Sequence, residues 1–570
     1  MSLITSFRPP PVEDSSSTSG DEPKEKRPRF ARTLTVLAAV IVFVALVVPD
    51  NLSRPRSGVF LPGAFLRIPL EGLIGFALLI VLPKKARRVI ALVLGAGLGI
   101  LTLLKMTDMG FRAVLARRFD PVLDGPLFGN GFDYLNETYG KVAAIAILVA
   151  VVALVLAMVA VVALSVQRLA GVAARFRKPA IGAAGTLLAA WVVFALVGTQ
   201  LYPLAPVAST GNADLIKAEA LQIPKSLHDQ QLFIEESKID AFRNVPASQR
   251  LVGLRGKDVV ISVVESYGRS ALENPKMDKL IEPALTVGAQ QLTAAGFSAK
   301  SGWLTSSTYG GGSWLAHASF QSGLWINNQG RYRQLTASSR LTLTSAFQQA
   351  GWHTVGVEPG NHRAWPEAKF YGYDEVYDAR NLGYEGPQFG WSSMPDQYTL
   401  SSFQKNVYGK THAPLMAEIT LTSSHSPWTV IPNMVDWNTI GNGSVFDPMA
   451  KQVQDRTSLW QSSAEVRTQY AKSIAYTMTA LTSWASTYGD DNLVMIFFGD
   501  HQPVSTVSGV DADHDIPITV VAKDKTVLDR ISSWGWADGI KPTPTTPVWK
   551  MDEFRDKFLT AFGTQSEAPH

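Results

Sequence analysis

Apolar positions fall into two regimes along this chain. Before residue 203 they form long unbroken stretches, and after about Leu251 they form short runs between polar segments. Five stretches make up the first regime: Thr33–Pro49, Ile68–Pro83, Val89–Leu104, Val142–Gln167 and Ala180–Tyr202. A helix needs roughly 20 apolar residues to span a bilayer. The last two stretches meet that length easily; the first three are shorter. Four further stretches behind the first argue against a cleaved signal peptide. The pattern predicts a five-helix transmembrane domain over residues 33–203.

Basic clusters fall on alternate sides of these stretches. Residues 1–32 are rich in Pro, Ser and charge and end in Lys24-Glu25-Lys26-Arg27-Pro28-Arg29, which reads as a disordered basic tail. This tail, Lys84-Lys85-Ala86-Arg87-Arg88 and Arg175-Phe176-Arg177-Lys178 would all be cytoplasmic by the positive-inside rule. An odd number of spans then places everything after Tyr202 outside. Residues 204–250 have no sustained apolar period and read as a juxtamembrane linker on the membrane surface, with Leu227–Arg243 as one amphipathic helix.

From Leu251 the pattern alternates strand and helix, which predicts an α/β domain over 251–565. Candidate strands are 259–264, 353–357, 415–421, 493–498 and 516–522, and candidate helices are 279–295, 341–350 and 463–486. The runs are short, β-branched or aromatic and free of charge, as buried parallel strands are. A mostly parallel sheet with helices on both faces is the expectation.

Composition adds three bounds. At 570 residues the chain is too long for one core. A net charge of only +4 gives no reason to expect a nucleic-acid partner. The absence of cysteine rules out disulfides, a catalytic thiol and thiolate metal ligands.

The ends of the candidate strands gather the chemistry, at the edge where open α/β sheets bind ligands. Glu265 closes the first strand, Glu358 the second, and Ser424-His425-Ser426-Pro427-Trp428 follows the third. Gly499-Asp500-His501 closes the fourth. Two carboxylates and an imidazole delivered to one edge suggest a metal site. Thr308-Tyr309-Gly310-Gly311-Gly312-Ser313 precedes a helix-compatible stretch, and a helix N-terminus with free N–H groups attracts phosphate. A hydroxyl there would serve as nucleophile and metal ligand, with its pKa lowered by the cation.

With these residues in view, Asp258 to Lys523 resembles the alkaline phosphatase and sulfatase superfamily. Within it the chain is most similar to lipoteichoic acid synthases and to the phosphoglycerol transferases of periplasmic glucans. The resemblance rests on Val264-Glu265-Ser266, Gly311-Gly312-Ser313-Trp314, Ser424-His425-Ser426-Pro427-Trp428, Gly499-Asp500-His501 and the segment Phe370 to Asp378. It implies Glu265, Ser313, Asp500 and His501 as metal ligands, Ser313 as nucleophile and His425 as a substrate-side catalytic histidine. It implies a divalent cation, with Mn best suited to two carboxylates, an imidazole and a hydroxyl, and Mg or Zn as alternatives.

Departures from the family pattern fall on the substrate side. Serine replaces the usual threonine as nucleophile, with Thr308 and Thr305 as rivals to Ser313. Glu358 stands seven residues before Trp365, where lipoteichoic acid synthases carry a histidine, and Glu367 replaces an arginine after the tryptophan. Glu358, His362, Arg363 and Trp365 are therefore the candidate substrate-binding residues. The resemblance implies a bacterial plasma-membrane enzyme with a cytoplasmic N-terminus and an extracytoplasmic catalytic domain. Its donor would be phosphatidylglycerol and its acceptor an envelope glycan or glycolipid. Rival readings are phosphoethanolamine transfer, a phosphodiesterase and a sulfatase. Ser313-Trp314-Leu315-Ala316-His317 lacks the Pro and Arg of the formylglycine motif, which argues against the last. A non-catalytic binding module is the rival from another class.

Overall fold

The computed structural model of the protein describes residues 26–48, 65–115, 117–125, 127–202, 205–509 and 511–564. Most of the expected basic tail lies outside these residues. The chain forms two compact units.

The first unit draws on residues up to Val48, on Phe65–Leu103 and on Val152–Thr210. Its helices are α1 (Lys26–Val47), α2 (Leu70–Val81), most of α3 (Lys84–Leu115), the later part of α5 (Lys141–Arg175) and α6 (Arg177–Val197). Four helical segments are long and apolar enough to cross a membrane: Phe30–Val47, Lys84–Arg112, Lys141–Arg175 and Arg177–Val197. The second expected span is instead the 12-residue α2. At 1.5 Å per residue it covers only about 18 Å, short of a bilayer core of about 30 Å. Of the five expected spans, four are helices of spanning length among the described residues and the second is the short α2. Pro69 and Pro83 bracket the short one, and proline removes the N–H that would extend the ladder.

The second unit takes in Leu104–Val151, with α4 (Leu127–Tyr139), and everything from Gly211 onward. It opens with α7 (Gly211–Lys238), so the helix expected over Leu227–Arg243 begins well before that stretch. Its nine-stranded sheet is built from β1 (Asp258–Val264), β2 (Ser298–Thr305), β3 (His353–Glu358), β4 (Glu375–Asp378) and β5 (Leu415–Leu421). It continues with β6 (Leu493–Gly499), β7 (Asp515–Ala522), β8 (Ala537–Asp538) and β9 (Val548–Lys550). The order is β8-β2-β7-β6-β1-β5-β3-β4, with β9 beside β2.

The strands from β6 to β4 are parallel, but β7 pairs antiparallel with β6 and β2, and β8 antiparallel with β2. The sheet is therefore mixed, which corrects the mostly parallel expectation at one flank. Among the described residues between β6 and β7 the only helix is the four-residue Ser505–Ser508, too little for the crossover a parallel return requires. β2 escapes the hydrophobic pattern because its first half, Ser298-Ala299-Lys300, is polar and partly exposed.

Alternate residues of the central strands feed two cores. Val260, Val264, Met495 and Phe497 pack with Ile281 and Leu285 of α8 (Pro275–Ala294), and with helix Ser463–Tyr488 through Ile474 and Trp484. Val259, Ile261, Ile496 and Phe498 pack on the other side with Phe320, Phe347, Phe554 and Phe558. Helices thus cover both faces, as expected. Phe320 belongs to α9 (Ser313–Ser322), and its ring stacks 4.1 Å from that of Phe498. This contact seats the helix that carries Ser313 on the strand that carries Asp500.

Candidate active site

Register brings the ligands together. Gly499 lies opposite Val264, so Asp500 and Glu265 leave the sheet side by side. Val264 lies opposite Leu421, which brings the turn containing His425 to the same edge. Ligand atoms of Glu265, Asp500 and His501 all lie within 4.8 Å of one another, and all three residues are buried.

Ser313 completes the group. Gly312 takes the left-handed conformation (φ +82°, ψ 34°) and turns the chain into α9, whose first residue is Ser313. Ser313 Oγ stands 3.0 Å from Glu265 Oε2 and 3.2 Å from His501 Nε2. The rival hydroxyls are otherwise placed. Thr305 Oγ1 donates to Asp515 Oδ1 at 2.7 Å, and Thr308 Oγ1 is buried without a hydrogen-bond partner.

Each ligand is oriented by a neighbour. His501 Nδ1 lies 2.9 Å from the Gln502 carbonyl, to which it donates; Nε2 keeps its lone pair for the site. Asp500 Oδ1 accepts from the N–H groups of Ser266 (2.7 Å) and His501 (2.8 Å). Glu265 Oε1 accepts from Ser266 Oγ at 2.8 Å. Ser266 serves both carboxylates from a strained backbone, φ +57°, which for a residue other than glycine marks a position the site demands.

The residues fit a divalent cation. Asp500 Oδ2 is fully buried and has no hydrogen-bond partner, and it lies 3.5 Å from His501 Nε2. Two such acceptors facing each other in a dry site are costly unless a cation sits between them. Burial and the Glu265 carboxylate push Asp500 up to about 7. Glu265 is also raised by burial, but the imidazoles of His425 and His501 outweigh this and hold it low. Oxygen and imidazole donors suit Mn, Mg or Zn.

Beside Ser313 opens a cavity of about 510 Å³, lined among others by His317, Glu358, Trp365, Glu418 and His425. His425 Nδ1 lies 2.6 Å from the Ser426 carbonyl, which leaves Nε2 for a ligand. Of the expected substrate residues, Glu358, Arg363 and Trp365 line this cavity. His362 does not; it is exposed, and its Nε2 pairs with Ser393 Oγ at 2.8 Å.

Two cavity residues escape the strand-end pattern. His317 sits four residues after Ser313 on α9, hence on the same face. Its Nδ1 lies 3.5 Å from Glu418 Oε1, and its Nε2 is buried without a partner. Glu418 also accepts from Tyr373 at 2.8 Å and from Gln321. A lone carboxylate inside the apolar run Leu415–Leu421 was the available signal, since buried acids are almost always paired. Burial pushes Glu358 up to about 7, although His317 opposes this.

Comparison with known proteins gives this geometry a family setting. Residues 257–518 match the sulfatase family model. The matched stretch runs from the start of β1 into β7 and takes in Glu265, Ser313, His425, Asp500 and His501. Similar solved structures include the lipoteichoic acid synthase LtaP from Listeria monocytogenes. It is 13% identical, covering 59% of this chain and 80% of that one, with a TM-score of 0.34. Another is the Streptococcus pyogenes phosphoglycerol transferase GacH in complex with sn-glycerol-1-phosphate. It is 12% identical, with coverage of 59% and 90% and a TM-score of 0.34. A third is the periplasmic domain of EcEptC from Escherichia coli in complex with Zn. It is 14% identical, with coverage of 52% and 80% and a TM-score of 0.36. No curated protein matches the chain.

Proposed function

We propose that this protein is a membrane-bound, metal-dependent phosphotransferase that moves glycerol phosphate from phosphatidylglycerol to an envelope glycan or glycolipid. The observation that carries this reading is the placement of Ser313 Oγ within hydrogen-bond distance of both Glu265 and His501. A serine hydroxyl is a weak nucleophile until it is deprotonated. The bound cation, held by Glu265, Ser313, Asp500 and His501, would lower that cost and offset phosphoryl charge.

Ser313 Oγ attacks phosphorus, and a glycerophosphoryl–serine ester forms as the bond to the diacylglycerol oxygen breaks. The proton lost by Ser313 reaches the leaving oxygen with His425 as the relay. An acceptor hydroxyl then attacks the same phosphorus, its proton returns to Ser313, and the serine is restored. Trp365, Glu358 and Arg363 would hold the transferred head.

The site would lie outside the plasma membrane, with the N-terminus in the cytoplasm. That parity requires α2 to count as a crossing. Residues 204–250 would then join the spans to the catalytic domain.

A second reading has an observation of its own. Glu358 and Glu418 line the cavity with Trp365, Tyr371 and Tyr373. Carboxylates among aromatic rings suit an ammonium group, and hence phosphoethanolamine as the group transferred. Both readings are tested by turnover of fluorescent phosphatidylglycerol and phosphatidylethanolamine with Mn, beside Ser313→Ala. Diacylglycerol release from the first lipid only, abolished in the variant, supports the glycerol reading. Release from the second only favours the ethanolamine reading. Equal release by wild type and variant overturns Ser313 as nucleophile.

A further inference from the structure

His425 sits in a long stretch without helix or strand, residues 422–435, directly after β5. Stretches of that length inside a compact domain commonly carry function, and a rigid scaffold then has to position them. Two neighbouring residues do so here, in the first turn of the helix Asp396–Phe403. Asp396 takes the near end. Its N–H donates to Ser423 Oγ at 2.9 Å, and its Oδ1 accepts from the Ser423 N–H, also at 2.9 Å. Gln397 takes the far end. Its Nε2 donates to the Val435 carbonyl at 2.7 Å, and its Oε1 accepts from the Val435 N–H at 3.0 Å. Both side chains are fully buried.

Asp396 Oδ2 accepts from Thr477 Oγ1 at 2.6 Å, so both carboxyl oxygens are met by neutral donors. Burial nonetheless pushes this group up to about 6. A carboxyl in such a place is costly, and packing alone gives no reason for one. The residues around Ser423 are tied as well. Thr422 Oγ1 lies 2.7 Å from Ser392 Oγ, Ser424 Oγ donates to the Glu265 carbonyl at 2.6 Å, and the His425 N–H donates to the Thr422 carbonyl at 3.0 Å. In so tight a turn, a shift of Ser423 carries His425 with it.

We propose that Asp396 and Gln397 clip both ends of the His425 loop, and that Asp396 is a positioning residue that acts on the reaction through His425. The proposal rests on His425 as the proton relay to the leaving oxygen and adds what keeps that relay in place.

Leaving groups separate positioning from mere support. The diacylglycerol oxygen leaves with the proton that His425 relays, whereas p-nitrophenolate leaves as a stable anion and needs none. Full-length Asp396→Ala is assayed with phosphatidylglycerol and with the p-nitrophenyl ester of glycerol phosphate. Expected is a kcat at least ~10-fold lower on the lipid, the scale for a misplaced reacting group, and a loss under ~3-fold on the aryl ester. KM and metal content stay unchanged. Asp396→Asn keeps an oxygen for the Ser423 N–H and should stay within ~3-fold of wild type on both substrates. Equal losses of Asp396→Ala on the two esters overturn Asp396 as a positioning residue.

The clip itself is read without substrate. Amide hydrogen exchange over residues 422–435 should quicken at least ~10-fold in Asp396→Ala, with β6 unchanged. Ser423→Ala removes only one of the two bonds at the near end and should give a smaller rise, which keeps the test open should the first variant fold poorly. Unchanged exchange in both variants overturns the clip, whichever lipid proves to be the donor. A wild type that leaves phosphatidylglycerol untouched while the variants show the expected exchange overturns the donor and supports the clip.

Discussion

His425 lies flat against Trp391, with ring centroids 3.9 Å apart and 22° between the planes. The indole also stands over Gly360, whose Cβ would meet it at 3.0 Å, so the tryptophan bridges the loops after β3 and β5. Stacking and the bond to Ser426 together fix the imidazole in one orientation. Trp391→Ala should therefore lower kcat by about 10- to 100-fold, the range for a reacting group displaced by about 1 Å. Metal content should not change, because Trp391 touches no proposed ligand. Loss of metal together with kcat would show that Trp391 supports the whole site rather than His425.

Asp500 makes a second prediction through its unpartnered Oδ2. Asp500→Asn replaces the buried acceptor that faces His501 Nε2. Divalent-metal affinity should fall by at least ~100-fold, the upper end of what outer partners alone cost. Wild-type protein at 100 times its Kd should gain about 2.7 kcal/mol from Mn or Zn, and the variant almost none. Thermal unfolding with and without chelator measures both. An equal shift in wild type and variant would place the ion elsewhere.

How far the sequence exposed this site can be argued from particular residues. Glu265, Asp500 and His501 were legible because each ends an uninterrupted apolar run, and strand register then brings neighbouring ends together. Ser313 was legible from the glycines before it. His317 was not, since it lies inside a helix, and Glu418 gave only the signal of a lone acid in an apolar strand; their packing shows that they face one cavity. β2 was hidden by Lys300 and Ser301, whose side chains meet Asp538 and Thr519 rather than an apolar core. The antiparallel flank depends on how little structure the chain places between Asp500 and Asp515, and no hydrophobic period records that.

α7 illustrates the same limit. Its polar composition suggested a linker, yet Phe233 is fully buried with Leu315 and Ala318 of α9. The Arg331 guanidinium sits 4.9 Å from the Phe233 ring and pairs with Asp229 of α7. One aromatic anchor and one ion pair do here what an apolar stripe does elsewhere. Phe233→Ala should cost about 3–5 kcal/mol in unfolding free energy, as truncation of a buried aromatic does. A cost below about 1 kcal/mol would mean that α7 is not part of the domain core.

His317 and Glu358 give the cavity two separate pH windows. Burial alone would lower His317, but the hydrogen bond and charge of Glu418, then the charge of Glu358, outweigh it and raise the group to about 9. The folded state therefore holds this proton more tightly than the unfolded chain, whose ordinary value is 6.5. The resulting stability is complete below about pH 6.5 and is lost as pH rises through about 9, with an upper limit of roughly 3 kcal/mol. Glu358 is raised from 4.5 to about 7, chiefly by burial. Its contribution has the same sign but an earlier window, complete below about pH 4.5 and lost through about pH 7. Unfolding midpoints in chelator from pH 4 to 10 should thus fall in two steps. His317→Gln should remove the upper step and move the Glu358 part of the lower step to higher pH, since the His317 charge opposes the upward shift of Glu358, and Glu358→Gln should shrink the lower step, which Asp500 shares. An upper step that survives in His317→Gln would assign it to another group and leave the His317–Glu418 pair without an energetic role.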